Sequence, residues 1–159
     1  MKPFKLSAIL MALIGPALFA TPSQALRLPP VDHPATAAEC SACHMIYPAQ
    51  MLPARSWTKL METLSDHFGE DASLAPDVQA DILAYLKANA ADAPASGGMI
   101  KILKGVAPED VPLRISELPW WKRRHGEINP KVYLRPEIKS PANCIACHKT
   151  ADKGEFFED

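Results

Sequence analysis

No cysteine is spare in this 159-residue chain: all four fall inside two short motifs, at 40–44 and 144–148, so none remains for a structural disulfide. After residue 25 there is no apolar run approaching the roughly 18 residues a membrane-spanning helix needs, so the rest of the chain is expected to be soluble. Runs of β-branched residues are scarce, and proline punctuates the chain 16 times, which points away from extended sheet and towards short helices joined by stiff irregular loops. Basic residues are not in excess either. Beyond residue 25 there are 15 Lys and Arg against 18 Asp and Glu, so nucleic acid is not an expected partner. Finally, the halves share nothing beyond the two motifs, which makes them two unlike units and not a repeat.

What is present is Cys-x-x-Cys-His, twice: Cys40, Cys43 and His44, then Cys144, Cys147 and His148. On a helical turn, positions i, i+3 and i+4 project from one face, so two thiols and an imidazole converge on one porphyrin edge. The thiols tether a c-type haem through thioethers and the imidazole takes one axial position on its iron. A redox dithiol or half of a zinc site also uses Cys-x-x-Cys, but neither accounts for the repeated histidine. The 134 residues after position 25 suffice for one or two small domains but not for a large apolar core, so two buried haems would supply much of the missing interior, and their propionates would make the protein more acidic still.

The first 25 residues are basic at Lys2 and Lys5, apolar to Ala20 and small and polar to Ala25, the pattern of a secretory signal cut after Ala25. Covalent haem on the exported side places the mature protein in the periplasm. Residues 26–92 form the first haem domain; 93–159 form a linker and the second haem segment. Helices are expected over 35–47, carrying the first motif; from Ser56 to about 67 or 68, with Gly69 as the stop; and over 76–90, with Val78, Ile82, Tyr85 and Leu86 inward. Residues 92–98 read as a linker, and 99–106 as either a short strand or a turn of helix. The remainder is expected to be irregular until a short helix after Pro141 bears the second motif.

Three histidines, His33, His67 and His125, remain to fill the sixth coordination positions. On a helical wheel His67 falls at the margin of the Leu60 and Leu64 stripe, which favours it for the first iron. His33, in Asp-His-Pro ahead of the first helix, reads as a surface or capping residue and is the rival histidine; Met99 is the rival thioether. For the second iron the tail after His148 holds neither His nor Met. His125, next to Trp120 and Trp121, is the nearest upstream donor. The adjoining Lys122, Arg123 and Arg124 are either a solvated face or counterions for propionates and an acidic partner.

These residues resemble the dihaem cytochrome c family of bacterial periplasms. The likeness is carried in order by Cys40-Ser-Ala-Cys-His-Met-Ile-Tyr-Pro, Leu52-Pro-Ala-Arg-Ser-Trp57, His67-Phe-Gly-Glu-Asp-Ala-Ser-Leu74, Ile82-Leu-Ala-Tyr-Leu86, Arg114-Ile, Pro119-Trp120, His125 and Asn143-Cys-Ile-Ala-Cys-His148. It implies a mainly α fold, with a cytochrome c-like N-terminal domain and a largely irregular C-terminal haem segment. It also implies His/His coordination at both irons, with His67 and His125 as the distal ligands. Family members look like electron donors to a small oxygen-binding c-type cytochrome and often occur beside a membrane cytochrome b.

Irons with both axial positions filled by imidazole have no open site, and what remains is one-electron transfer at low potential. The protein is therefore expected to be an electron carrier with its haems close together. The alternative is a haem enzyme or gas-binding sensor with one open iron, peroxidase-like in chemistry, although dihaem peroxidases are much longer chains.

Overall fold

Proline opens three of the four described α-helices, and hydroxyl side chains bonded back to carbonyls mark where two of the four stop. The computed structural model describes residues 26–96 and 99–156, at 99 and 100 for the backbone alone; the expected signal segment lies outside the described residues. Helix α1 (Pro34–Cys40) has Pro34 in its first turn, where a missing N–H costs nothing, and His33 as its N-cap. The Ser41 hydroxyl donates to the Ala37 carbonyl at 2.6 Å, and the chain turns over 41–43. The helix expected over 35–47 thus ends at Cys40, and His44 stands beyond it.

Helix α2 (Ala54–Glu62) begins ahead of Ser56 because its cap comes from elsewhere in the chain: Asp92 Oδ1 accepts from the Ala54 N–H at 2.8 Å. It also ends early. At Thr63 φ is −117°, the hydroxyl donates to the Lys59 carbonyl at 3.0 Å, and a 3-10 turn, Leu64–Asp66, follows. His67 therefore does not lie on this helix, contrary to the helical-wheel placement. Helix α3 (Pro76–Ala88) runs close to its expected span, with Ile82 and Leu86 fully buried and Val78 and Tyr85 packed against the same core.

Residues 92–96 of the expected linker are tied down more than their composition indicates. Besides capping α2, Asp92 lies 3.5 Å from Arg55, the Ala91 N–H donates to the Leu52 carbonyl at 2.9 Å, and Pro94–Ser96 forms a 3-10 turn with Ser96 buried. Residues 99–103, undecided between strand and helix, form a 3-10 helix, Met99–Leu103. The stretch expected to be irregular contains a fourth helix, α4 (Pro119–His125), again opened by a proline at N1. The remaining local structure is 3-10: Ile115–Glu117, Pro130–Leu134, Cys144–Ala146 and Ala151–Lys153.

One apolar core serves both halves. Trp57, Leu60 and Met61 of α2 and Ile82 and Leu86 of α3 join Leu28, Met51 and Leu52, and Ile102 and Leu118 enter from the C-terminal half. Each such side chain contributes about 1.5–3 kcal/mol on full burial. The Trp57 indole N–H donates to the Ala49 carbonyl at 2.7 Å, so its burial leaves no polar atom unpaired.

The described ends of the chain clasp each other. Strand β1 (Leu26–Arg27) pairs antiparallel with β2 (Glu155–Phe156), and the Leu28 N–H donates to the Gly154 carbonyl at 2.8 Å. Gly154 sits at φ +78°, and a Cβ there would lie 2.1 Å from the Leu28 carbonyl oxygen, so only glycine permits this approach. No helix among the described residues is long and apolar enough to cross a membrane.

Candidate functional site

The first motif lies in the turn that leaves α1. Cys40 ends the helix half-buried, Cys43 is exposed, and neither is in a disulfide. Burial, then the neighbouring Glu39 charge, pushes the Cys40 thiol above its usual range. A redox dithiol needs the opposite shift. The His44 Nδ1 lies 2.7 Å from the Met45 carbonyl. A carbonyl can only accept, so Nδ1 carries the proton and Nε2 keeps the lone pair a metal would use.

His67 is presented by a tight two-residue turn. The His67 N–H donates to the Glu70 carbonyl at 2.7 Å and the Glu70 N–H returns to the His67 carbonyl at 3.3 Å, with Phe68 at φ +60° and Gly69 at φ +100° between them. Positive φ at both central positions is the signature of a type I′ turn. It is strained for a phenylalanine, at a cost of about 1–3 kcal/mol. The Asp66 carboxylate accepts from the Gly69 N–H at 3.0 Å, and the Arg114 guanidinium lies over the Phe68 ring, 3.8 Å from its centre. The result is that the His67 and His44 rings face each other, 6.2 Å between centres and 26° between planes. Burial lowers the His67 pKa, and the nearby His44 and Arg114 charges lower it further, so a neutral imidazole is favoured.

His33 is engaged elsewhere. Its Nδ1 accepts from the Thr36 N–H at 3.3 Å, its Nε2 is 3.4 Å from Asp81, and its ring stacks on Tyr85 at 4.6 Å. Both nitrogens serve the junction of α1 and α3. Met99 opens its 3-10 helix, and its side chain lies outside the described residues.

The second motif is carried by the 3-10 turn Cys144–Ala146, not a longer helix, with the His148 N–H donating to the Cys144 carbonyl at 2.7 Å. Burial pushes the Cys144 thiol up to about 11. His125 is the last residue of α4. Its Nδ1 lies 3.0 Å from the Trp121 carbonyl, one turn back, and its ring stacks on the Trp121 indole at 4.2 Å and 9°. The His125 and His148 rings are 6.1 Å apart with planes at 86°, and Phe156 of β2 closes against His148 at 5.8 Å.

These spacings suit a shared metal. Two imidazoles that each place a nitrogen about 2 Å from one ion have ring centres about 6 Å apart. A bare zinc site is a poor fit, because no three His, Cys, Asp or Glu side chains converge on one point among the described residues. Paired imidazoles flanking a planar group, with thiols at its rim, fit haem. The residues that would hold it are Cys40, Cys43, His44 and His67 in one centre, and Cys144, Cys147, His148 and His125 in the other.

Two such centres on a small, mainly α scaffold define a c-type haem protein that carries its haems in pairs. The chain belongs to the dihaem cytochrome c family, whose model matches residues 36–156. It is similar to the solved structure of the diheme cytochrome c from Rhodobacter sphaeroides, with 51% identity, a TM-score of 0.71, and coverage of 80% of this chain and 98% of that one. A second structure, of DHC purified from Rhodobacter sphaeroides, matches at 48% identity and TM-score 0.66, over 80% of this chain and 99% of that one. The diheme cytochrome type c from Shewanella baltica OS155 matches at 35% identity and TM-score 0.63, over 77% and 85%. None of the curated proteins matches. The cofactors are therefore two c-type haems, the expected cytochrome c-like fold holds, and membership is consistent with an electron carrier.

Sequence reasoning missed three side chains that join the halves. Arg55 donates to the Asp110 carbonyl at 2.6 Å and to that of Ala107 at 3.0 Å, pinning the C-terminal half onto α2. Arg114 reaches the turn bearing His67. Tyr47 donates to the Ala142 carbonyl at 2.8 Å. Arg55 and Tyr47 act across more than fifty residues, where local periodicity carries no signal.

Proposed function

We propose that this protein is a periplasmic one-electron relay through two bis-histidine haems, with His44 and His67 on the first iron and His148 and His125 on the second. The observation that carries the reading is the pair of imidazole spacings, 6.2 and 6.1 Å, each of which leaves room for one metal and none for a substrate on it. A haem at each centre supplies an Fe(II)/Fe(III) couple; the chain orients the imidazoles and holds their tautomers. The Met45 and Trp121 carbonyls keep the Nδ1 protons of His44 and His125 in place. Two nitrogen ligands without methionine favour low potentials among c-type cytochromes.

The signal-like first 25 residues support export to the periplasm. The family resemblance supports a small oxygen-binding c-type cytochrome as acceptor and a membrane cytochrome b as donor. Carbon monoxide tests the reading: the reduced holoprotein is expected to leave its spectrum unchanged, and rapid stoichiometric binding would instead reveal an open iron and favour a peroxidase-like enzyme or gas sensor.

A further inference from the structure

The first motif and the second are about a hundred residues apart in sequence, yet one side chain touches both neighbourhoods. Tyr47 follows His44 by three positions, and its ring lies 5.0 Å from the His44 imidazole at 38°. Its hydroxyl donates to the Ala142 carbonyl at 2.8 Å. That carbonyl is itself a junction, because it accepts from the Cys144 backbone N–H at 2.9 Å and lies 3.5 Å from the Cys144 Sγ. A continuous chain of contacts therefore runs from the proximal imidazole of one centre, through the Tyr47 ring and one hydrogen bond, to the first thioether position of the other.

The tyrosine suits this task. It is partly buried, and burial pushes its pKa up to about 12, so it stays a protonated donor throughout the working range. The second motif needs such an anchor, since it lies in a single 3-10 turn with no long helix to fix its position.

We propose that Tyr47 is the positioning residue that sets the distance and contact between the two haems, and through it the rate at which an electron passes from one to the other. This rests on the two-haem relay reading and adds the residue that couples its halves. Tyr47 is not oxidised or deprotonated in the step; it holds two redox groups in register.

The test uses the holoprotein with Tyr47→Phe, which keeps the ring and removes the hydroxyl, and Tyr47→Leu, which removes both. Tyr85→Phe is the control, because its hydroxyl accepts from Asp32, away from either motif. After partial flash reduction, inter-haem equilibration is followed optically. Tyr47→Phe is expected to slow it several-fold and Tyr47→Leu further, with haem content, both low-spin spectra and the Tyr85→Phe rate unchanged. An unaltered rate in both Tyr47 variants would overturn the proposal. Should Tyr47→Leu fail to load haem, Tyr47→Phe alone decides, because it removes only the hydroxyl bonded to the Ala142 carbonyl and an unaltered rate there overturns the proposal. Failure of the relay reading looks different, as carbon monoxide binding to the wild-type protein.

Discussion

The two halves of the molecule solve one problem with different materials. The first half holds three α-helices and most of the apolar core, and His67, the proposed distal ligand, comes from a strained turn. In the second, one short helix supplies His125, the proposed distal ligand, and a 3-10 turn carries the motif. Charge divides the same way. Residues 26–96 hold four Lys and Arg against nine Asp and Glu; residues 99–156 hold eleven against seven. The five-residue motif is the same in both, so attachment chemistry does not dictate the scaffold. The first half supplies most of the shared apolar core and the second half less of it, so the second is expected to depend more on its haem for order.

The histidine pairs differ as sharply. His44 and His67 are near parallel at 26°, whereas His125 and His148 cross at 86°, because stacking on Trp121 holds the His125 plane. Parallel imidazole planes on one iron split the two metal orbitals that overlap their π systems, and crossed planes leave them nearly degenerate. Two distinct low-spin ferric signals are expected in low-temperature electron paramagnetic resonance, a rhombic one from the first centre and a more anisotropic one from the second.

The largest effect comes from removing a distal ligand. His67→Ala should abolish the rhombic signal alone, His125→Ala the anisotropic one alone, and each variant should then bind one equivalent of carbon monoxide when reduced. Loss of neither signal would refute the ligand assignment.

Next comes the haem as core. Cys144→Ser together with Cys147→Ser, which blocks the second attachment, should leave residues 26–96 protected in hydrogen exchange while amides from 119 onwards lose protection. Cys40→Ser with Cys43→Ser should cost the first half less order, since its helices keep their packed core. Equal losses in both would erase the contrast between the halves.

A smaller effect is expected at the clasp. Gly154→Ala adds a Cβ that overlaps the Leu28 carbonyl and forces an L residue to φ +78°, so a loss of about 1–3 kcal/mol is expected, read as a fall in melting temperature of the holoprotein. The smallest change tests cross-talk. Arg114 places a positive charge beside the turn that holds His67, which favours the reduced first iron. Arg114→Gln should lower the potential of the rhombic centre and leave the other in place, and Arg114→Lys should retain most of the wild-type value in a spectroelectrochemical titration.

Much of the fold is legible in the amino-acid sequence. Proline at positions 34 and 76 marks two helix starts well, because proline at N1 acts locally. The stripe Val78, Ile82, Tyr85 and Leu86 finds its buried face for a similar reason. Local patterns fail where a distant residue intervenes or a nearby competitor goes unread. The cap on α2 comes from Asp92, the back-bonds of Ser41 and Thr63 accompany early helix ends, and α4 lies in a stretch whose composition reads as irregular. A helical wheel favours His67 on a helix it does not occupy; a hairpin turn puts it opposite His44 instead.

The chain alone determined the cofactor chemistry, because thioether attachment and proximal ligation need only residues three and four apart, a spacing written in the backbone. It also limited the imidazole donors to five histidines. Which imidazole faces which, at what angle, and how Tyr47 bridges the two centres were decided only by tertiary structure. Those relations depend on packing between segments far apart in sequence, where side-chain geometry follows from the whole core and not from any local pattern.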